Sequence, residues 1–121
     1  MRNAINWFEL PTQDLDRAVR FYEKSLAVTL KREVFNGTDM AVFPADQQAA
    51  GGALIRDAKR APSGDGALVY LDASGKLDAA LDRIPAAGGQ VVLPKTDIGP
   101  PGFIAIVKDT EGNVIGLHSP R

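Results

Sequence analysis

Five side chains in this 121-residue sequence have the chemistry of a site: Trp7, Glu9, Tyr70, Asp72 and His118. His118 is the sole histidine and follows the polar turn and apolar run "KDTEGNVIGL". Near neutral pH an imidazole can donate a hydrogen bond or act as a general base. The alternative for His118 is an exposed strand end close to the C-terminus. Glu9 lies between Phe8 and Leu10, where an unpaired buried carboxylate would be costly. It either binds a ligand or acts as a base in a cleft, or it pairs with an arginine such as Arg56 or with a partner subunit. Trp7, Tyr70 and Phe103 are candidates for an aromatic wall that stacks a planar ligand, and equally for the apolar part of a dimer interface.

These residues need strands to hold them, and strand periodicity decides which ones share a face. In "AINWFEL" (4–10), Phe8 and Leu10 form the apolar set, so Trp7 and Glu9 point the other way. In "ALVYLD" (67–72), Val69 and Leu71 go inward, leaving Leu68, Tyr70 and Asp72 opposite. In the last strand Ile115 and Leu117 go inward, leaving Val114, Gly116 and His118. One face thus collects Trp7, Glu9, Tyr70, Asp72 and His118, a set that suits a ligand cleft better than a dry core.

Helices must cover the other face. In "TQDLDRAVRFYEKSL", Thr12 or Asp14 can cap, and Leu15, Ala18, Val19, Tyr22 and Leu26 recur at helical spacing. The charged residues of this helix, Arg17 among them, read as a solvated face. "VTLKREVF" (28–35) and "TDMAVFP" are strands around the Asn36-Gly37 hairpin signal, and "GALIR" follows as a fourth strand. After the Pro-, Gly- and Ser-containing linker 58–65, the order repeats. "SGKLDAALDRIPAAGG" is a capped helix, "QVVLP" a strand, and "FIAIVKD" pairs with "NVIGLHS". The expected fold is α+β, a single domain over 1–121 made of two βαβββ modules, 1–57 and 66–121.

Composition narrows the partners. Fourteen basic against fifteen acidic residues give a net charge of −1, which argues against nucleic acid. No apolar run reaches the roughly 20 residues of a membrane helix, and no secretory signal is recognisable. Cysteine is absent, which removes disulfides and thiolate metal sites and fits a reducing cytoplasm. With one His and no Cys, an all-protein zinc site is not expected. Phosphate-loop and dinucleotide fingerprints are missing, so no cofactor is expected. Ser63, Ser74 and Ser119 have no pattern of a nearby base.

Over its whole length the sequence resembles the vicinal oxygen chelate superfamily of glyoxalase I, bleomycin-resistance proteins and extradiol dioxygenases. The segments that carry the likeness are "DLDRAVRFYEKSLAV", "LDAALDRIPAAGGQVV" and, above all, "GFIAIVKDTEGNVIGLHS". The resemblance implies paired modules whose sheets form a U-shaped open barrel with helices on the outer face, commonly in a homodimer. It also implies four metal-ligand positions, which fall here on Trp7, Ala53, Leu68 and Gly116. None of these side chains can ligate a cation. That departure points to the metal-free branch, in which the cleft binds a small apolar or aromatic ligand. Trp7, Glu9, Arg56, Tyr70, Asp72, Phe103 and His118 are then the ligand-binding candidates. The alternatives are a metal-independent lyase or isomerase using Glu9 and His118 as acid–base groups, and a dimerisation module with a filled cleft.

Overall fold

Aromatic and β-branched residues that alternate with polar ones form strands where one face can be buried. The computed structural model describes residues 4–121, and in it such segments pair into two four-stranded sheets. The first half supplies β1 (Trp7–Pro11), α1 (Leu15–Leu26), β2 (Lys31–Phe35), β3 (Thr38–Val42) and β4 (Gly51–Arg56). The second supplies β5 (Tyr70–Asp72), α2 (Leu77–Arg83), β6 (Gln90–Asp97), β7 (Phe103–Lys108) and β8 (Val114–Ser119). Strand orders are β1-β4-β3-β2 and β5-β8-β7-β6, so both halves have one topology. In each, the first strand runs parallel to the fourth and the rest are antiparallel. The sheets are curved and do not close into a barrel.

Several elements differ in length from the sequence reading. β1 extends to Pro11, which an edge strand tolerates because its missing N–H is not needed by a neighbour. β6 runs on to Asp97, past the expected end at Pro94, with register shifts on both sides of Leu93 that accommodate the proline. α2 is confined to Leu77–Arg83, since Pro85 has no N–H to continue the helical ladder. α1 is capped by Asp14, whose carboxylate accepts from the Arg17 N–H at 3.0 Å.

Helix-facing side chains of both sheets, among them Leu10, Leu54, Leu71 and Leu117, merge with Phe21 of α1 and Ile84 at the end of α2 into one core. Burying each such side chain contributes roughly 1.5–3 kcal/mol. Among the described residues, no helix is long and apolar enough to cross a membrane.

The polar turn between β7 and β8 clasps the halves together. Asp109, Glu111 and Asn113 are all buried. Glu111 Oε1 accepts the backbone N–H groups of Gln13 and Asp14, both at 2.9 Å, just ahead of α1. Arg17 Nε donates to Glu111 Oε2 at 2.7 Å, so Arg17 belongs to this clasp and not to a merely solvated face. Tyr22 Oη donates to Asp109 Oδ2 at 2.6 Å, and Asn113 Nδ2 donates to the Pro11 carbonyl at 2.7 Å. Burial works to raise the Glu111 carboxyl, but the Arg17 guanidinium and the backbone donors outweigh it and hold the group at about 2. Burial, with Asp109 beside it, pushes the Tyr22 phenol well above its ordinary value.

Candidate functional site

β5 and β8 lie side by side with Tyr70 opposite Gly116, Leu71 opposite Leu117 and Asp72 opposite His118. Because side chains alternate, Leu71 and Leu117 enter the core while Tyr70, Asp72 and His118 emerge together on the other face. β7 adds Ile104, paired with His118 in the antiparallel register. The loop after β6 adds Ile98. These residues line a cavity of about 540 Å³. Such a volume is in the range that holds small organic ligands.

The polar groups at this cavity are held in place. Asp72 Oδ1 accepts from the Ser74 N–H at 2.9 Å and from the Ser74 hydroxyl, and these donors keep its carboxyl below the usual carboxylate range. His118 Nε2 lies 2.7 Å from the carbonyl of Pro101. A carbonyl can only accept, so Nε2 carries the hydrogen, and in the neutral ring Nδ1 is left as an acceptor. The Tyr70 ring covers Gly116, where a Cβ would fall 2.2 Å from Tyr70 Cδ1.

A second cavity, of about 250 Å³, lies against the first half of the chain. Phe8, Phe43, Leu26 and Val28 wall it, and Tyr70, Leu71 and Asp72 border both cavities.

The face assignments for β1, β5 and β8 hold, but the expected site is split. Trp7 and Glu9 share a face, and Trp7 Nε1 donates to Glu9 Oε2 at 3.2 Å, yet neither lines the larger cavity. Glu9 therefore takes Trp7 as its partner and not Arg56, which sits exposed at the end of β4 opposite Asp39. Phe103 is not part of a wall with Trp7 and Tyr70. It alternates with Ile104 on β7, which puts it on the core side with Ala105 and Val107. Its ring there meets Lys95 Nζ at 4.6 Å and the Arg121 guanidinium at 5.0 Å. Ile98, Ile104 and the Pro101 carbonyl escaped the sequence reading. Alternation on β7 could have found Ile104, whereas nothing local marks the two loop residues.

The four positions that the resemblance assigns to metal ligands do not fit a cation. Trp7 and Leu68 present exposed apolar surface, Ala53 is fully buried, and Gly116 lies under Tyr70. Among the described residues, no group of three or more His, Asp or Glu side chains is placed to hold a metal ion.

The sequence model of the glyoxalase/bleomycin resistance protein/dioxygenase superfamily matches residues 4–117. CFP32 of Mycobacterium bovis, provisionally named a glyoxylase, is 29% identical over 118 residues; the match covers 97% of this chain and 44% of that protein. The chain thus spans less than half the length of this relative. The crystal structure of a glyoxalase/bleomycin resistance protein from Albidiferax ferrireducens superposes with a TM-score of 0.75 at 18% identity, covering 97% of this chain and 99% of the other. A glyoxylase/bleomycin resistance protein/dioxygenase domain from a Frankia species gives 0.74 at 18% identity, with both chains covered completely. At these identities the likeness of structure speaks for the fold.

Proposed function

The chain belongs to the glyoxalase/bleomycin resistance protein/dioxygenase superfamily, and on that premise we propose that it binds a small apolar or aromatic molecule without a metal ion. The ligand site is the cavity over β5, β7 and β8. The single observation that carries this reading is Tyr70 over Gly116. At the position where the resemblance places a ligating carboxylate, the chain has no side chain, and an aromatic ring fills the space instead. Ile98 and Ile104 supply apolar wall, Tyr70 a stacking face, and Asp72 and His118 the polar edge.

An acid–base reading rests on His118 alone, because Glu9 lies outside this cavity. In its favour, His118 Nδ1 is left as an acceptor by the Pro101 contact. A filled cleft is disfavoured by a cavity of about 540 Å³. A homodimer is supported by large apolar side chains left exposed, among them Ile5, Trp7, Val34 and Phe35. The cysteine-free sequence supports a reducing, cytoplasmic setting.

The test is titration calorimetry of the purified protein with a two-ring aromatic alcohol, before and after chelation, with elemental analysis of the same sample. The expected result is binding that chelation does not alter and no stoichiometric metal. Stoichiometric nickel, zinc or iron bound by this chain would overturn the metal-free reading, and absence of binding would overturn the ligand site.

A further inference from the structure

The cavity over β5 has acceptors and a fixed negative charge, and neither Lys nor Arg is among its lining residues. Of its six lining residues, Tyr70, Leu71, Asp72, Ile98, Ile104 and His118, Asp72 carries the one permanent charge near neutral pH. Both Ser74 donors go to Oδ1, and no hydrogen bond from a described residue reaches Oδ2. The Oδ2 lone pairs are therefore open to a ligand. His118 adds a second acceptor, since its Nε2 hydrogen is committed to Pro101. The Tyr70 ring adds a third attraction for positive charge, its negatively polarised face. Lys76 and His118 are the nearby groups whose positive charge acts on Asp72, and the Lys76 ammonium donates to the Leu26 carbonyl at 2.7 Å. Arg121 is likewise engaged, with Asp97 at 2.6 Å.

We propose that this cavity selects a protonated amine carried on a planar apolar group over neutral or anionic molecules of the same shape. The ammonium meets Asp72 Oδ2 and His118 Nδ1, and the planar group rests on Tyr70 between Ile98 and Ile104. A carboxylate in the same pose would face the Asp72 charge, with the Tyr70 hydroxyl as the side-chain donor of the lining that is not already committed, since the His118 Nε2 hydrogen goes to Pro101. The volume of about 540 Å³ accommodates one or two fused rings with a short aminoalkyl arm. This inference rests on the ligand-binding reading of the cavity. It adds the sign of the charge that the ligand carries.

An isosteric series tests it: naphthalen-1-ylmethanamine, naphthalen-1-ylmethanol and naphthalene-1-carboxylate, titrated into the intact chain at low and high salt. One exposed ion pair with a cation–π contact corresponds to a preference of roughly five- to tenfold for the amine over the alcohol. The carboxylate is expected to bind more weakly than either. The amine preference should shrink at high salt and disappear in Asp72→Asn. If all three bind alike, or the alcohol binds best, the charge selection is wrong although the ligand site stands. If none binds, the ligand site itself fails and the inference with it. Should Asp72→Asn not fold, the salt dependence decides: a preference for the amine that does not respond to ionic strength overturns the proposal.

Discussion

Tyr70 and Gly116 occupy one space between them: the ring of the first lies where any side chain on the second would project. A Cβ at residue 116 would meet Tyr70 Cδ1 at 2.2 Å and Cε1 at 2.4 Å. The pair are direct neighbours across the parallel β5–β8 ladder, so neither can shift along its strand without breaking that pairing. The aromatic wall of the cavity and the missing side chain at the position that the resemblance assigns to the last metal ligand therefore go together. A carboxylate at 116 and the present position of Tyr70 exclude each other.

Gly116→Ala should destabilise the protein by about 1–3 kcal/mol, the usual cost of forcing atoms into a packed site. Tyr70→Ala removes the clash, so in that background the same substitution should cost little. Urea denaturation of the four proteins in the cycle measures the coupling. Strictly additive effects would show that the ring does not depend on the glycine.

Glu111 makes stability depend on acid. Its carboxyl is held at about 2 against an ordinary 4.5, so the folded form binds its proton less readily than the unfolded chain does. The stabilisation is complete above about pH 4.5 and is drawn down as pH falls toward 2. The shift corresponds to about 3 kcal/mol, somewhat less because Arg17 is partly exposed to solvent. Glu111→Gln should lower stability at pH 7 and flatten the profile between pH 5 and pH 2, read by thermal unfolding across that range. A variant with the parent's pH profile would contradict the clasp.

Tyr22→Phe isolates the second half of that clasp. Tyr22 is fully buried, and without its hydroxyl Asp109 Oδ2 keeps just the 3.2 Å contact from Asn113 Nδ2. An under-satisfied buried carboxylate costs about 1–3 kcal/mol. Unfolding free energy should fall by that amount with the cavity and its ligand binding unchanged, because Tyr22 lines neither cavity.

Much of this architecture was legible in the sequence because it depends on local periods. Phe8 and Leu10, Leu71, and Ile115 and Leu117 declare their core faces by alternation, and with them the outward faces of Trp7, Tyr70 and His118. Asn36-Gly37 marks its hairpin, and "DTEGN" the last turn. Long-range partners were not legible. Arg17 carries no local sign that Glu111, 94 residues away, will bury against it. Phe103 was grouped with Trp7 and Tyr70 by residue type, but its place is set by the phase of β7, which Ala105 and Val107 fix toward the core. The loop 98–102 has no period at all, so neither the Ile98 side chain that lines the cavity nor the Pro101 carbonyl that meets His118 had a sequence signal.

That loop is anchored by Gly102. Its φ is +117°, a conformation that disfavours L side chains, and a Cβ there would lie 2.2 Å from the Ser119 carbonyl oxygen and 2.8 Å from Pro120 Cα. Both obstacles are backbone, so no rotamer change relieves them. The same loop closes on itself through Ile98 N–H to Gly102 O and Gly102 N–H to Gly99 O, both at 2.9 Å. Gly102→Ala should therefore displace the segment that carries Ile98 and Pro101 while leaving the core of both halves folded. Two readouts follow. Affinity for naphthalen-1-ylmethanamine should drop several-fold as the Ile98 wall moves away. The His118 ring, no longer bonded to Pro101 O, should lose its preference for the Nε2–H form, seen in the nitrogen chemical shifts of the single histidine. Unchanged affinity together with an unchanged tautomer in Gly102→Ala would show that the loop neither shapes the cavity nor orients His118.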